Sequence, residues 1–198
     1  MSGLVLASAS AARARLLIAA GIEVEIDPAH IDEGKIKRGC RAAAHDATTC
    51  ALALAEAKAG AVALRHPGAL VLGADQMLDC DGEWFDKPRD LAEARAQLLL
   101  LNGRQHALVS AAAIIRDGKV LWHVVERALL TLRRCSAAFI DRYLGLMGER
   151  VLATVGGYEL EGLGAQLMEK VEGDYFTILG LPLLPLLAFL CDEGALPS

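Results

Sequence analysis

The sequence predicts an α/β protein whose mixed β-sheet is flanked by helices. Short apolar segments alternate with helical segments in the first half of the chain, which is the pattern of sheet strands connected by helices. Two Asp-Gly pairs, at 81–82 and 117–118, then separate strand-like segments and indicate antiparallel hairpins. Apolar residues make up 54% of the 198 residues. That length suits one large domain or one domain with two lobes.

The first half contains two predicted strands and two predicted helices before the central strand. Leu4–Ala7 forms a buried strand, and Ser10 caps a helix over Ala11–Ala20 that Gly21 ends. The alternating segment Ile22–Asp27 indicates a half-buried strand. A polar loop over Ala29–Gly39 and a long Ala-rich helix over Ala42–Leu64 follow.

The central strand, Ala69–Asp75, ends on a carboxylate. The remaining predicted elements alternate between helices and strands. They are a helix that Asp90 caps and that runs to Leu101, two long strands over His106–Ile115 and Lys119–Leu132, a helix from Ser136 to about Met147, and a last helix beginning at Pro182.

Composition excludes several classes of protein. The net charge of −5 argues against a general nucleic-acid binder, which carries a basic face. The most apolar stretch, Ile178–Cys191, is too short to span a bilayer and contains two prolines. Five widely spaced cysteines without a C-x-x-C pair, and no signal-like N-terminus, favour a reduced cytoplasmic protein.

Ser8, Ser10 and Arg13 lie where the first strand gives way to a helix. Backbone N–H groups at a helix start attract anions, and hydroxyls with a guanidinium can bind phosphate. The alternative is that Ser10 only caps the helix and Arg13 is solvated.

Asp75 follows a buried strand, where α/β proteins place ligands. There it could activate water as a general base or hold a metal ion, and Glu33 could share that metal. Lys87 is a point charge suited to a phosphate. Alternatively, Asp75 caps a turn and the other two are solvated charges.

Glycines 156, 157, 162, 164, 173 and 180 lie in one stretch near the carboxyl end, beside Glu161, Glu169 and Asp174. Such a stretch allows sharp turns and close approach of a ligand, although it could be only an irregular connection. Together these groups describe a cleft for a metal-bound nucleoside polyphosphate.

The chain resembles the Maf family of nucleotide pyrophosphatases. The motifs that carry the resemblance run from Leu4 to about Leu187 in the order LASASAAR, IDE, AEAKA, GADQ, DKP and GGYELEGLGAQLMEKVEGDYFTILGLPL. The resemblance implies one domain over residues 1–198 and a fold related to the inosine-triphosphate pyrophosphatases, with an elongated mixed sheet, two lobes and a cleft. It also implies a homodimer, and hydrolysis of a nucleoside triphosphate to the monophosphate and pyrophosphate with Mg²⁺ or Mn²⁺.

The same resemblance assigns roles to individual residues. Asp75 matches the catalytic aspartate, and Glu33 is expected to bind the metal with it. The residues matched to substrate binding are Ser8, Ser10, Arg13, Lys58, Gln76, Lys87 and Glu161.

Two departures bear on substrate and activity. Members usually read S-P-R-R where this chain has Ser10-Ala11-Ala12-Arg13, so one arginine is absent. Gln76 resembles the branch that acts on 7-methyl-GTP, whereas Tyr158 and the GDYFTILGLP segment resemble the branch that acts on dTTP and UTP. The absent arginine leaves open a nucleotide-binding regulator of cell division without turnover. A phosphatase that releases inorganic phosphate also stays open, because its cleft would look the same in sequence.

Overall fold

The computed structural model describes residues 3–196 and has a mixed α/β architecture. Its strands are β1 Leu4–Leu6, β2 Val24–Ile26, β3 Leu70–Cys80, β4 Glu83–Phe85, β5 Gln105–Arg116, β6 Lys119–Leu132 and β7 Met168–Glu172. Its α-helices are α1 Ala11–Ala19, α2 Glu33–Ala42, α3 Ala47–Ala63, α4 Leu91–Leu101, α5 Ala137–Met147, α6 Tyr175–Ile178 and α7 Leu183–Asp192. Within the described part of the chain, no helix is long and apolar enough to cross a membrane.

The described strands form one mixed sheet of seven strands in the order β2-β1-β3-β5-β6-β7, with β4 paired to β3. β1 lies parallel to both β2 and β3, whereas β3–β4 and β6–β7 are antiparallel. The predicted mixed sheet flanked by helices is therefore confirmed. Parallel pairs need crossover connections, and here helices supply them.

The chain divides into two compact units that share the long strands β3, β5 and β6. The first unit contains residues 3–76, 110–126 and 175–196, and the second contains residues 77–109 and 127–174. The division agrees with the predicted two lobes. A single domain over residues 1–198 stays a prediction, as does the cleft, and residues 1–2 and 197–198 lie outside the described part.

In the first unit, successive residues of β1 and β3 pack on opposite sides of the sheet. On one side Leu4, Leu6, Leu70 and Leu72 pack with residues of α1 and α7. On the other side Val5 and Val71, with their odd-numbered neighbours, pack with Ala59, Val62 and Ala63 of α3. Strand side chains alternate between faces, so residue parity along β3 decides which helix each side chain meets.

The second unit is built on α4, which packs against α5 and against 3₁₀-helices at Gly148–Ala153 and Val155–Gly157. Its interior contains a buried polar pair, in which His106 Nε2 lies 2.6 Å from the hydroxyl oxygen of Tyr158. Nearby, the Tyr143 hydroxyl donates to the carbonyl of Gly157 at 3.1 Å.

Several turns and helix ends are where the sequence predicts them. Both Asp-Gly turns adopt positive φ at both residues, as two-residue hairpins require. Side-chain oxygens of Ser10, Asp90 and Ser136 accept from the backbone N–H three residues later. The last helix, predicted to begin at Pro182, begins one residue later at Leu183, with Pro182 at its N-cap.

Other element predictions are wrong. The segment predicted as a loop at Ala29–Gly39 contains most of α2, because Asp32 caps a helix by accepting from the Lys35 N–H at 2.8 Å. The predicted helix over Ala42–Leu64 begins only at Ala47, after Ala44 with φ 54°. The glycine-rich stretch contains β7, α6 and a 3₁₀-helix at Leu163–Leu167 rather than only irregular chain.

Asp75 does not end its strand. β3 continues to Cys80, because residues 78–80 pair with β4 across the Asp81-Gly82 turn. β1, however, ends at Leu6 opposite Leu72. Asp75 therefore lies past the carboxyl end of its parallel neighbour, which is the edge where α/β sheets bind ligands.

Candidate functional site

Asp75 is buried in an ion pair with Lys58, and Lys58 also reaches Glu33. The Lys58 ammonium lies 2.6 Å from Asp75 Oδ1 and 2.9 Å from Glu33 Oε1. Asp75 is odd-numbered like Val71, so it faces α3, which carries Lys58. Glu33 begins α2 directly after the Asp32 cap. The structure thus joins three of the predicted site residues.

Ser8, Ser10 and Arg13 form a second group at the start of α1. Ser10 Oγ caps the helix, accepting from the Arg13 N–H at 3.4 Å. Ser8 Oγ accepts from the Ser10 N–H at 3.2 Å and from Arg13 Nη1 at 3.1 Å. The capping role of Ser10 is therefore confirmed, and its contact with phosphate stays a prediction.

Arg13 is buried, unlike the exposed Arg15 on the same helix. Burial lowers the pKa of Arg13 from its ordinary value, and the negative charges of Asp75 and Glu33 partly offset that shift. The two groups therefore lie near enough to interact electrostatically, with two cations and two carboxylates between them.

One carboxylate oxygen of this site has no partner among the described residues. Asp75 Oδ2 is buried and accepts no hydrogen bond there, whereas Oδ1 takes the Lys58 ammonium. A buried carboxylate oxygen without a partner costs free energy, and such atoms often belong to binding or catalysis. Oδ2 is therefore the atom of Asp75 available to a water molecule, a metal ion or a substrate.

Gln76 faces the opposite side of the sheet from Asp75. Its Nε2 lies within hydrogen-bonding distance of Ser110 Oγ at 3.0 Å and of the carbonyls of Thr177 at 3.1 Å and Ile178 at 3.0 Å. The amide nitrogen is thus used within the protein. Only the amide oxygen is left for the predicted contact with substrate.

Lys87 and Glu161 belong to the second unit, and both are exposed. Lys87 lies in the loop between β4 and α4, as predicted, and Glu161 lies in the turn before the 3₁₀-helix at Leu163–Leu167. Their contribution to the site around Asp75 stays a prediction.

Sequence reasoning missed a hydrogen-bonded group beneath Gln76. Ser110 is fully buried in β5 and donates to the Thr177 carbonyl at 2.8 Å, while Thr177 Oγ1 donates to Glu126 Oε2. The available signal was a lone hydroxyl in the apolar strand segment ALVSAAAII. A hydroxyl at such a position needs a buried partner, although the sequence does not say which.

The donor atoms at Asp75 and Glu33 suit a hard divalent cation. Magnesium binds through one or two carboxylates plus phosphate oxygens and water, and the carboxylates of Asp75 and Glu33 would be such ligands. Among residues 3–196, no three His, Cys, Asp or Glu side chains gather as a metal-binding group. The carboxylates of Asp75 and Glu33 fit such an ion, and its binding stays a prediction.

The sequence matches known proteins over almost its whole length. Residues 3–193 match the Maf-like protein family. A nucleoside triphosphate pyrophosphatase of Paramagnetospirillum magneticum is 54% identical, covering 97% of this chain and 99% of its own. A 7-methyl-GTP pyrophosphatase of Mesorhizobium japonicum is 52% identical, covering 98% of this chain and 97% of its own.

One solved structure shows a distant likeness. It is a nucleoside-triphosphatase, a dITP/XTP pyrophosphatase of Mycobacterium abscessus, which is 20% identical with a TM-score of 0.41. The likeness covers 67% of this chain and 75% of that one. At this distance it adds nothing to the two sequence relatives.

Proposed function

This chain belongs to the Maf-like protein family, and on that premise we propose that it hydrolyses a nucleoside triphosphate to the monophosphate and pyrophosphate. The observation that supports this most strongly is Asp75. Its Oδ1 is fixed by Lys58 at 2.6 Å, and its buried Oδ2 has no partner among the described residues. A carboxylate held in this way is oriented for proton transfer.

In the proposed reaction Asp75 acts as the general base. Oδ2 accepts a proton from water as the water oxygen attacks the α-phosphorus. The new O–P bond forms while the bond from the α-phosphorus to the bridging oxygen breaks, and pyrophosphate leaves with that oxygen. Lys58 holds Asp75 in position, which limits the reorganisation that the reaction requires.

The group formed by Ser8, Ser10 and Arg13 would bind the phosphates. The first-turn N–H groups of α1 and the hydroxyl proton of Ser8 are donors for anionic oxygens. Arg13 adds a charged donor, because its Nε and Nη1 are used within the protein while Nη2 appears in no described hydrogen bond. The function of the absent second arginine would be shared with Lys58, the other cation of this site, or with Arg15.

Metal dependence forms part of this proposal. The four charged residues of the first unit's site, Arg13, Lys58, Asp75 and Glu33, sum to zero, so they leave the charge of a triphosphate unbalanced. Asp75 and Glu33 would hold Mg²⁺ or Mn²⁺ together with phosphate oxygens. The ion would supply charge neutralisation at the phosphates and the leaving pyrophosphate.

Further features of the family resemblance stay proposals. We expect Lys87 to contact phosphate and Gln76 and Glu161 to contact the base. We also expect the protein to be a cytoplasmic homodimer. We expect it to bind no nucleic acid, because its net charge of −5 disfavours contact with phosphate backbones.

The proposal is tested by resolving products from a panel of triphosphates. The protein is incubated with Mg²⁺ and, separately, with 7-methyl-GTP, dTTP, UTP, CTP, GTP and ATP, and the products are separated by ion exchange. We expect a monophosphate and pyrophosphate in equal amounts from one or two bases. Preference for 7-methyl-GTP would agree with Gln76 and with the Mesorhizobium relative, and preference for dTTP or UTP with the tail segment.

Two outcomes would contradict the proposal. A diphosphate with inorganic phosphate would identify a phosphatase that acts at the γ-phosphorus. Binding of a triphosphate without turnover, at any Mg²⁺ or Mn²⁺ concentration, would identify a nucleotide-binding regulator. Omitting the metal gives the matched control for the metal requirement.

A further inference from the structure

The guanidinium of Arg13 is held by a backbone carbonyl far along the chain. Arg13 Nε donates to the carbonyl of Gly180 at 2.8 Å, a bond that is buried. Ser8 fixes only the Nη1 end of the same group. The direction in which Arg13 presents its remaining donors therefore depends on where the Gly180 carbonyl lies.

Gly180 follows a tight turn that begins in α6. The Gly180 N–H donates to the Thr177 carbonyl at 3.1 Å, and the Leu181 N–H donates to the Phe176 carbonyl at 3.1 Å. Gly180 itself has φ 98°, a conformation that side-chain-bearing residues rarely adopt. α6 has only four residues, so its own hydrogen bonds cannot hold this turn in place.

Side chains from two strands fasten the turn instead. Ser110 Oγ donates to the Thr177 carbonyl at 2.8 Å and accepts from Gln76 Nε2 at 3.0 Å. Gln76 Nε2 is also shared between the carbonyls of Thr177 and Ile178. Ser110 has no exposed surface, so no water can replace its hydroxyl without a rearrangement.

We propose that Ser110 is a positioning residue that sets the direction of the Arg13 guanidinium through the Thr177–Gly180 turn. The hydroxyl fixes the Thr177 carbonyl and the Gln76 amide, these fix the turn, and the Gly180 carbonyl fixes Arg13 Nε. The inference rests on the proposed function only in assigning phosphate binding to Arg13. The proposed coupling of Ser110 to Arg13 does not depend on which reaction the protein catalyses.

The first test observes Arg13 directly. Arginine Nε–H signals are followed by NMR, and the Arg13 signal is assigned as the one lost in Arg13→Lys. Ser110→Ala should accelerate hydrogen exchange at Arg13 Nε by about tenfold, the effect of weakening one hydrogen bond to a charged group. Ile114→Val, on the same strand and fully buried, is the matched control that weakens the core without touching this network.

The second test is a double-mutant cycle read out by binding of inorganic tripolyphosphate in calorimetry. Ser110→Ala should weaken binding about tenfold in the wild-type background and little in Arg13→Lys, since the two changes remove one interaction. Ser110→Cys, which keeps a weak donor at the same position, should lie between wild type and Ser110→Ala, and it replaces Ser110→Ala if that variant does not fold.

Each outcome decides the matter. Faster exchange at Arg13 Nε with a non-additive cycle supports the positioning role. Unchanged exchange, equal acceleration in Ile114→Val, or additive losses of binding would overturn it. Failure of the proposed function is seen separately, because the wild type would then bind tripolyphosphate without hydrolysing any nucleotide of the panel.

Discussion

Lys58 sets the charge balance around the proposed base. It is buried, and its ammonium contacts both Asp75 and Glu33. A buried carboxylate without a cationic partner would be costly, and the Lys58 ammonium supplies that partner within the sheet. The sequence could place Asp75 and Lys58 in motifs. It could not show that one lysine bridges both carboxylates, because that depends on the packing of α2 and α3.

Hydroxyl groups show where prediction from single residues succeeds and fails. Ser10 is predictable as a helix cap because a cap bonds a backbone N–H three residues away. Ser110 was not predictable, because its partners lie 34 and 67 residues away in sequence. Local hydrogen bonds leave a signal in the sequence, whereas long-range ones are set by topology.

Because of His106, the stability of the second unit should fall as the pH is lowered. Burial lowers the pKa of His106 from its ordinary 6.5 to about 4. Between these values the unfolded chain binds a proton that the folded unit excludes, so stability is fully present above pH 6.5 and is lost as pH falls toward 4. We expect a loss of up to about 3 kcal/mol over this window.

Urea unfolding at pH values from 7.5 to 4.5 measures this loss, and His106→Gln provides the control. Glutamine retains a partner for the Tyr158 hydroxyl but does not titrate, so its stability should vary less with pH. Equal pH dependence in both proteins would rule out His106 as the cause. The pKa of Asp27 is lowered to about 2, mainly by Arg65 and then by His66. The stability that Asp27 contributes is therefore lost only as the pH falls below its ordinary pKa of 3.8, outside the pH range of the urea measurement.

Among the elements, β3 determines how the site is divided between the faces of the sheet. Asp75 points toward α3 and its lysine, while Gln76 points toward the Thr177–Gly180 turn. Alternation along a strand was predictable from the sequence. The continuation of β3 past Asp75 was not, because residues 78–80 become strand only through pairing with β4. The α2 helix was missed because it is short and mostly charged and contains Gly34 and Gly39, although Ile36 and Cys40 lie on one of its faces.

Gly73 permits the close approach of β3 to α3. A Cβ atom there would lie 2.0 Å from the Ala55 carbonyl oxygen and 2.7 Å from the Ala59 nitrogen, both backbone atoms of α3. Gly73→Ala must therefore push the helix away, and we expect a loss of about 3 kcal/mol in unfolding free energy. Because α3 carries Lys58, activity should fall as well.

Gly60→Ala on α3 is the matched control for this prediction. Its Cβ would meet only Ile115 Cδ1 at 3.8 Å, an ordinary contact. Alanine is favoured over glycine within helices by up to about 1 kcal/mol, so this variant should unfold no more easily than wild type. Urea denaturation of the two variants compares them directly. Equal stability of the two variants would contradict the packing argument.

For the whole molecule, the sequence predicts the fold class but not the division of the chain into two compact units. Apolar periodicity and the hairpin turns are sufficient for a mixed α/β sheet. They are not sufficient to show that three long strands each contribute to two compact units. Membership of a unit depends on contacts between distant segments. The first unit, for example, is assembled from three separated parts of the chain.

Comparison of wild type with Asp75→Asn tests the central claim most directly. Turnover of the preferred triphosphate and binding of its non-hydrolysable α,β-methylene analogue are measured for both proteins. Asp79→Asn, a matched carboxylate change on the same strand, is the control. We expect Asp75→Asn to bind the analogue and to lose at least about a hundredfold in kcat, the contribution of a general base. A normal kcat in Asp75→Asn would contradict the account.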